Sequence, residues 1–181
     1  MDEITAWVVE RIPKDEDLTR PALTELATEL GKERSLWEQH VRHDPEQRIF
    51  VELYRDIHLD AWLICWLNHQ DTGFHDHDVS SGAVYVTDGE LSEDRLLFGK
   101  NGINEVSRPH PEGTAFDFDA ARIHCVRHPG GVPATSIHIY SPALWRMGYY
   151  DFDEDDNLCR TSVTYADEMW TRPTGLGKLR A

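Results

Sequence analysis

Positive charge is what this chain has least of. Eighteen Lys and Arg stand against 33 Asp and Glu in 181 residues, a formal net charge of −15 with histidine neutral. Such a surface repels phosphate, which excludes nucleic acid and anionic membranes as expected partners. Cysteine is scarce too: Cys65, Cys125 and Cys159 form neither a disulfide framework nor a CxxC site, and they suit a reducing compartment. No apolar run approaches the ~20 residues that span a bilayer. The start, Met1-Asp2-Glu3-Ile4, lacks the basic and apolar regions of a signal peptide, so the cytoplasm is the expected location. Repeats and low-complexity tracts are lacking as well. At this length one domain is expected, as a monomer or small homo-oligomer whose partners are small molecules.

What is present divides in two. From 17 to 43, Leu18, Leu23, Leu26, Leu30, Leu36, Trp37 and Val41 recur at three- and four-residue spacings, the pattern of amphipathic helices. Thr19 or Arg20 before Pro21 starts one helix and Gly31 ends it; a second runs from Ser35 to Arg42. From 46 to 166 the chain reads as short strands: Arg48–Tyr54, Ala61–Leu67, Gly73–His77, Gly82–Asp88, Leu91–Phe98, Gly113–Phe118, Arg122–Val126, Thr135–Ser141 and Leu158–Tyr165. Turn residues at Asp88-Gly89, Asn101-Gly102, Pro109 and Pro129-Gly130-Gly131 separate them. Many short strands predict a β-barrel or sandwich with helices on one side. Residues 171–181, with Pro173, Gly175 and Gly177, read as a flexible tail.

Histidine is abundant, with ten in the chain. In Phe74-His75-Asp76-His77-Asp78 a strand turns His75 and His77 to one face, and two neutral imidazoles on one face suit a first-row transition metal. Arg122-Ile123-His124-Cys125-Val126 offers a third imidazole. In Ser136-Ile137-His138-Ile139-Tyr140 the polar residues share one strand face and the isoleucines the other, so the polar face meets either solvent or a polar cavity.

The pair His75-x-His77, the later His124, Cys65-Trp66 upstream and above all the run from Ser136 to Pro142 resemble the cysteine dioxygenase family of thiol dioxygenases, within the cupin superfamily. The resemblance covers about Tyr54 to Pro142 and implies a mainly β fold, a cupin (double-stranded β-helix, jelly-roll) barrel. It also implies that His75, His77 and His124 hold one Fe(II), with Ser136, His138 and Tyr140 beside it as the catalytic network. A small thiol and O2 would give the sulfinic acid. Cupins commonly carry a glutamate ligand at the position of Gly82, and some members of the family carry there a cysteine that crosslinks to the tyrosine. Gly82 removes both, which fits a three-histidine site.

Small-thiol members bind the substrate carboxylate with an arginine ahead of the Cys-Trp segment. Arg55 is the nearest candidate, at a shorter interval than the family's, and Arg146 is a second. Trp145 to Asp156 is aromatic and acidic; as a rim it would instead favour a cationic thiol such as ergothioneine. Two readings of other kinds stand beside these: a cupin that binds a metal or ligand without turnover, and a cupin enzyme acting on a non-sulfur substrate.

Overall fold

The computed structural model describes residues 1–100 and 102–165; the expected tail lies outside the described residues. Helix α1 (Glu3–Val9), absent from the sequence reading, is capped by Asp2, whose carboxylate accepts from Thr5 N at 2.8 Å. Helix α2 (Arg20–Lys32) carries Pro21 in its first turn and continues through Gly31. A Cβ on Gly31 would lie 2.2 Å from the Tyr85 ring, so this glycine is there to let the helix seat on the sheet rather than to end it. Helix α3 (Arg34–Trp37) and a 3-10 turn (Glu38–His40) replace the single expected second helix.

Eleven strands follow among the described residues: β1 (Ile49–Arg55), β2 (Asp60–Trp66), β3 (Phe74–Asp76), β4 (Ser81–Asp88), β5 (Glu90–Gly99), β6 (Gly102–Pro111), β7 (Ala115–Phe118), β8 (His124–Arg127), β9 (Ala134–Ser141), β10 (Arg146–Phe152) and β11 (Leu158–Tyr165). They form a five-stranded sheet, β1-β2-β9-β4-β7, and a six-stranded sheet, β11-β10-β3-β8-β5-β6. The turn expected at Asp88-Gly89 is a corner between the two sheets, because β4 pairs with β7 and β9 while β5 pairs with β6 and β8. A hairpin joins β5 and β6, closed where Gly99 faces Gly102. Pro109, expected in a turn, lies inside β6; that strand is at the sheet edge, where a missing N–H costs no ladder bond. Strand β10 falls in the stretch read as an acidic aromatic rim, and the acidic run forms its turn into β11.

Alternation along the central strands builds two cores. Ala61, Leu63 and Cys65 of β2, Ala83 and Tyr85 of β4, and Ile137 and Ile139 of β9 pack with Leu23, Leu26, Ala27 and Leu30 of α2. Trp62 and Trp66, Val84 and Val86, and Tyr140 point the other way, toward Leu91, Phe116, Phe118, Val126 and Met147 between the sheets. Every residue of β9 is buried, so its polar face meets the interior and not solvent.

Candidate metal centre and adjoining cavity

The pairing register brings the histidines together. His75 on β3 sits directly opposite His124 on β8, although 49 positions separate them. His77 lies one residue past the end of β3, in a turn closed by Ser80 N donating to His77 O at 2.9 Å. Asp76, on the opposite face, anchors this corner: its carboxylate accepts from Asp78 N and Gly148 N at 3.1 Å each and pairs with Arg160 and Tyr150. A metal-ligand atom from each of His75, His77 and His124 lies within 4.8 Å of the other two, and all three residues are buried.

Each ring is supported differently. His75 directs Nδ1 at Gly73 O, 3.0 Å away, which leaves Nε2 3.1 Å from His77 Nε2. His124 directs Nδ1 at Glu93 Oε1, 2.7 Å away. His77 stacks on Phe118, centroids 4.5 Å apart, and its Nδ1 has no hydrogen-bond partner among the described residues. Burial, and then the neighbouring His124, pull His75 down to about 3; burial also holds His77 and His124 below the ordinary histidine value. Three neutral imidazoles with converging nitrogens, two of them with a fixed far nitrogen, suit a divalent transition metal.

Beside the cluster lies a cavity lined by His75 and His124, by Arg48, Thr72, His138 and Tyr140, and by the apolar Ile64, Val84, Phe118, Val126 and Met147. A second, adjoining space shares Arg48, Ile64 and Tyr140 with it and adds Phe50, Trp62 and Leu144. Along one wall runs a hydrogen-bonded chain. Trp66 Nε1 donates to Ser136 Oγ at 2.9 Å, Ser136 Oγ is 2.9 Å from His138 Nε2, and His138 Nδ1 is 3.3 Å from the Tyr140 oxygen. Burial keeps the His138 ring neutral. In the tautomer with its proton on Nδ1, Ser136 donates to Nε2, the ring N–H points at the Tyr140 oxygen, and the tyrosine hydrogen is left to the cavity. Burial raises Tyr140 above the ordinary phenol value, so it enters as a hydrogen-bond donor and not as an anion.

Gly82 has a steric reason as well. A Cβ there would lie 2.4 Å from Phe118 Cζ and 3.0 Å from Tyr140 Cδ1; the ring that supports His77 fills the volume a side chain at 82 would need.

The structure places both candidate arginines away from these spaces. Arg55 does not line either space: it bonds Glu52 at 2.9 Å, the buried Asp60 at 2.8 Å and Leu144 O at 3.2 Å. Arg146 pairs with Asp78 at 2.9 Å and stands outside both linings. The guanidinium that faces the cavity belongs to Arg48, just ahead of β1, which the sequence reading counted only as a strand residue. Its Cζ lies 4.8 Å over the Trp66 ring and it donates to Asp71 O. Burial lowers its pKa, yet a guanidinium stays protonated in proteins, so the group is charged. Glu93 was missed in the same way: the sequence reading counted it only within the strand Leu91–Phe98, yet Ser92, Glu93 and Asp94 are all buried.

Two antiparallel sheets closed around an interior histidine cluster define a cupin. Within that class the chain belongs to the cysteine dioxygenase family: the model of cysteine dioxygenase type I matches residues 18–153. Among solved structures, one from Thermus thermophilus is 22% identical, aligned over 59% of this chain and 93% of its own, with a TM-score of 0.50. Recombinant oxalate oxidase in complex with glycolate is 16% identical over 59% of this chain and 56% of its own, at 0.49. A Klebsiella pneumoniae protein with a double-stranded β-helix domain is 12% identical over 68% and 87%, at 0.48. These likenesses concern the fold alone. No helix among the described residues is long and apolar enough to cross a membrane.

Proposed function

We propose that this chain is a mononuclear non-haem iron(II) thiol dioxygenase acting on a small thiol that carries a carboxylate, cysteine or 3-mercaptopropionate in kind. The observation that carries the reading is one cavity walled by His75 and His124 of the neutral histidine cluster, by Arg48 and by the Tyr140 end of the hydrogen-bonded chain. Iron(II) held by His75, His77 and His124 would supply the redox chemistry by which thiol and O2 combine into a sulfinic acid, both oxygen atoms ending on sulfur and O2 taking up four electrons from it. Three neutral ligands leave the full 2+ charge on the site, which favours an anionic thiolate.

The chain's own residues do the rest. Arg48 pairs with the carboxylate and thereby fixes which end of the substrate enters, its own direction set by Trp66 and the Asp71 carbonyl. Tyr140 donates its hydroxyl hydrogen to substrate or dioxygen, held at the right angle by His138 and, through it, Ser136. Ile64, Val84, Phe118, Val126 and Met147 keep water from the reacting sulfur. Among the described residues no carboxylate lines either space, so an ammonium finds no anion there, and the acidic turn after β10 is not part of the lining. This favours a carboxylated thiol over a cationic one such as ergothioneine. The three free thiols fit a reducing cytoplasm.

The test is to load the protein with iron(II) without air, supply 3-mercaptopropionate and 18O2, and weigh the product. Two labelled oxygens in a sulfinate are expected; a disulfide or a singly labelled product would count against dioxygenation.

A further inference from the structure

We infer that Glu93 is the positioning residue that makes His124 a metal ligand, so that the cluster's affinity is set from β5 as well as by its three imidazoles. The inference rests on the histidine cluster being the metal site.

Strand β5 pairs with β8 so that Arg95 faces His124, and Glu93, two residues back, shares the Arg95 face. The Glu93 side chain has no exposed surface. A buried carboxylate is costly unless its oxygens are satisfied, and here both are. Oε1 accepts from His124 Nδ1 at 2.7 Å, with Arg122 at 3.9 Å. Oε2 accepts from Arg95 Nε at 2.6 Å, with His110 Nε2 at 3.4 Å. The Arg95 guanidinium on Oε2, with Arg122 nearby, supplies the opposite charge that keeps this buried carboxyl an anion.

The three rings are not equivalent in this respect. His75 leans on a backbone carbonyl and His77 on an aromatic face, whereas His124 alone is bonded to a charged group. An anion on Nδ1 fixes the proton there, turns the Nε2 lone pair toward the cluster and makes the ring a better donor. Arg95 holds the carboxylate by its other oxygen, Oε2, which keeps Oε1 on His124.

The experiment is an anaerobic titration with cobalt(II), followed by its visible absorption, on wild type and Glu93→Gln. The variant keeps the shape and an acceptor oxygen but loses the charge. Binding weaker by about 10- to 100-fold, with an altered cobalt spectrum, is expected. Equal affinity and an unchanged spectrum in folded Glu93→Gln would overturn the role of Glu93, as would a variant that loses only thermal stability. Wild type that takes up no cobalt would overturn the metal reading itself. Should Glu93→Gln fail to fold, the zinc-loaded wild type still decides: 15N-histidine spectra should show His124 with a low-field, slowly exchanging proton on Nδ1, and a ring protonated on Nε2 would refute the inference.

Discussion

The two faces of the five-stranded sheet serve opposite ends along its three central strands, β2, β9 and β4. Toward α2, β9 presents Ile137 and Ile139 to an aliphatic core; toward the second sheet, the same strand presents Ser136, His138 and Tyr140 to the cavity. One face gains free energy by removing carbon from water, on the order of 25 cal/mol per Å². The other buries polar groups that gain little net stability from their hydrogen bonds and would be costly if left unmade. Ser136, His138 and Tyr140 complete one another and draw on Trp66 for the last donor. On β9 the apolar burial thus lies on the helix side, and that packing holds the polar wall of the cavity still.

That division can be broken one face at a time. The largest effect is expected on the polar face: Tyr140→Phe should keep metal content while kcat falls by about 10²-fold or more, since it removes the hydroxyl with little loss of volume. Steady-state rates beside a metal assay check this, and unchanged kcat would place Tyr140 in packing only. Ile139→Ala, one residue back in β9, should do the reverse, costing about 2–5 kcal/mol of stability in denaturant melts with kcat per folded molecule retained. A smaller effect concerns the metal-free protein. With His75 near 3 in the folded state and about 6.5 unfolded, the unfolded chain takes up the proton first as acid is added. The contribution is present above 6.5 and is lost as pH falls below it, on the order of 1 kcal/mol per pH unit for this one histidine. Melts of metal-free protein between pH 7 and 4.5 should show the decline; a flat profile would mean that the cluster is not held neutral.

The same contrast explains what could be read from the sequence. The alternation in Ser136–Tyr140 was legible because both faces of a buried strand are constrained, so two chemistries at a period of two imply two environments. The pair His75 and His77 was legible too, although the strand stops at Asp76 and a turn completes the approach. Arg48 was not, because nothing local separates it from its polar neighbours Asp44, Glu46 and Gln47; its inward direction depends on Trp66 and the Asp71 carbonyl. Glu93 became meaningful only through the β5–β8 register. Strand β6 carries mostly exposed residues and two prolines, so it lacked the apolar alternation that marks a strand.

The central claim is that a carboxylated thiol is oxidised between Arg48 and the histidine cluster. Oxygen uptake by the iron-loaded protein tests it most directly, measured with 3-mercaptopropionate, cysteine, cysteamine and ergothioneine on wild type and Arg48→Ala. One O2 consumed per carboxylated thiol is expected, with little uptake on cysteamine or ergothioneine. KM for the carboxylated thiols should rise roughly 10- to 100-fold in the variant, as the loss of a charge-assisted bond of about 1.5–3 kcal/mol implies. Uptake confined to cysteamine or ergothioneine, or unaffected by Arg48→Ala, would contradict the account.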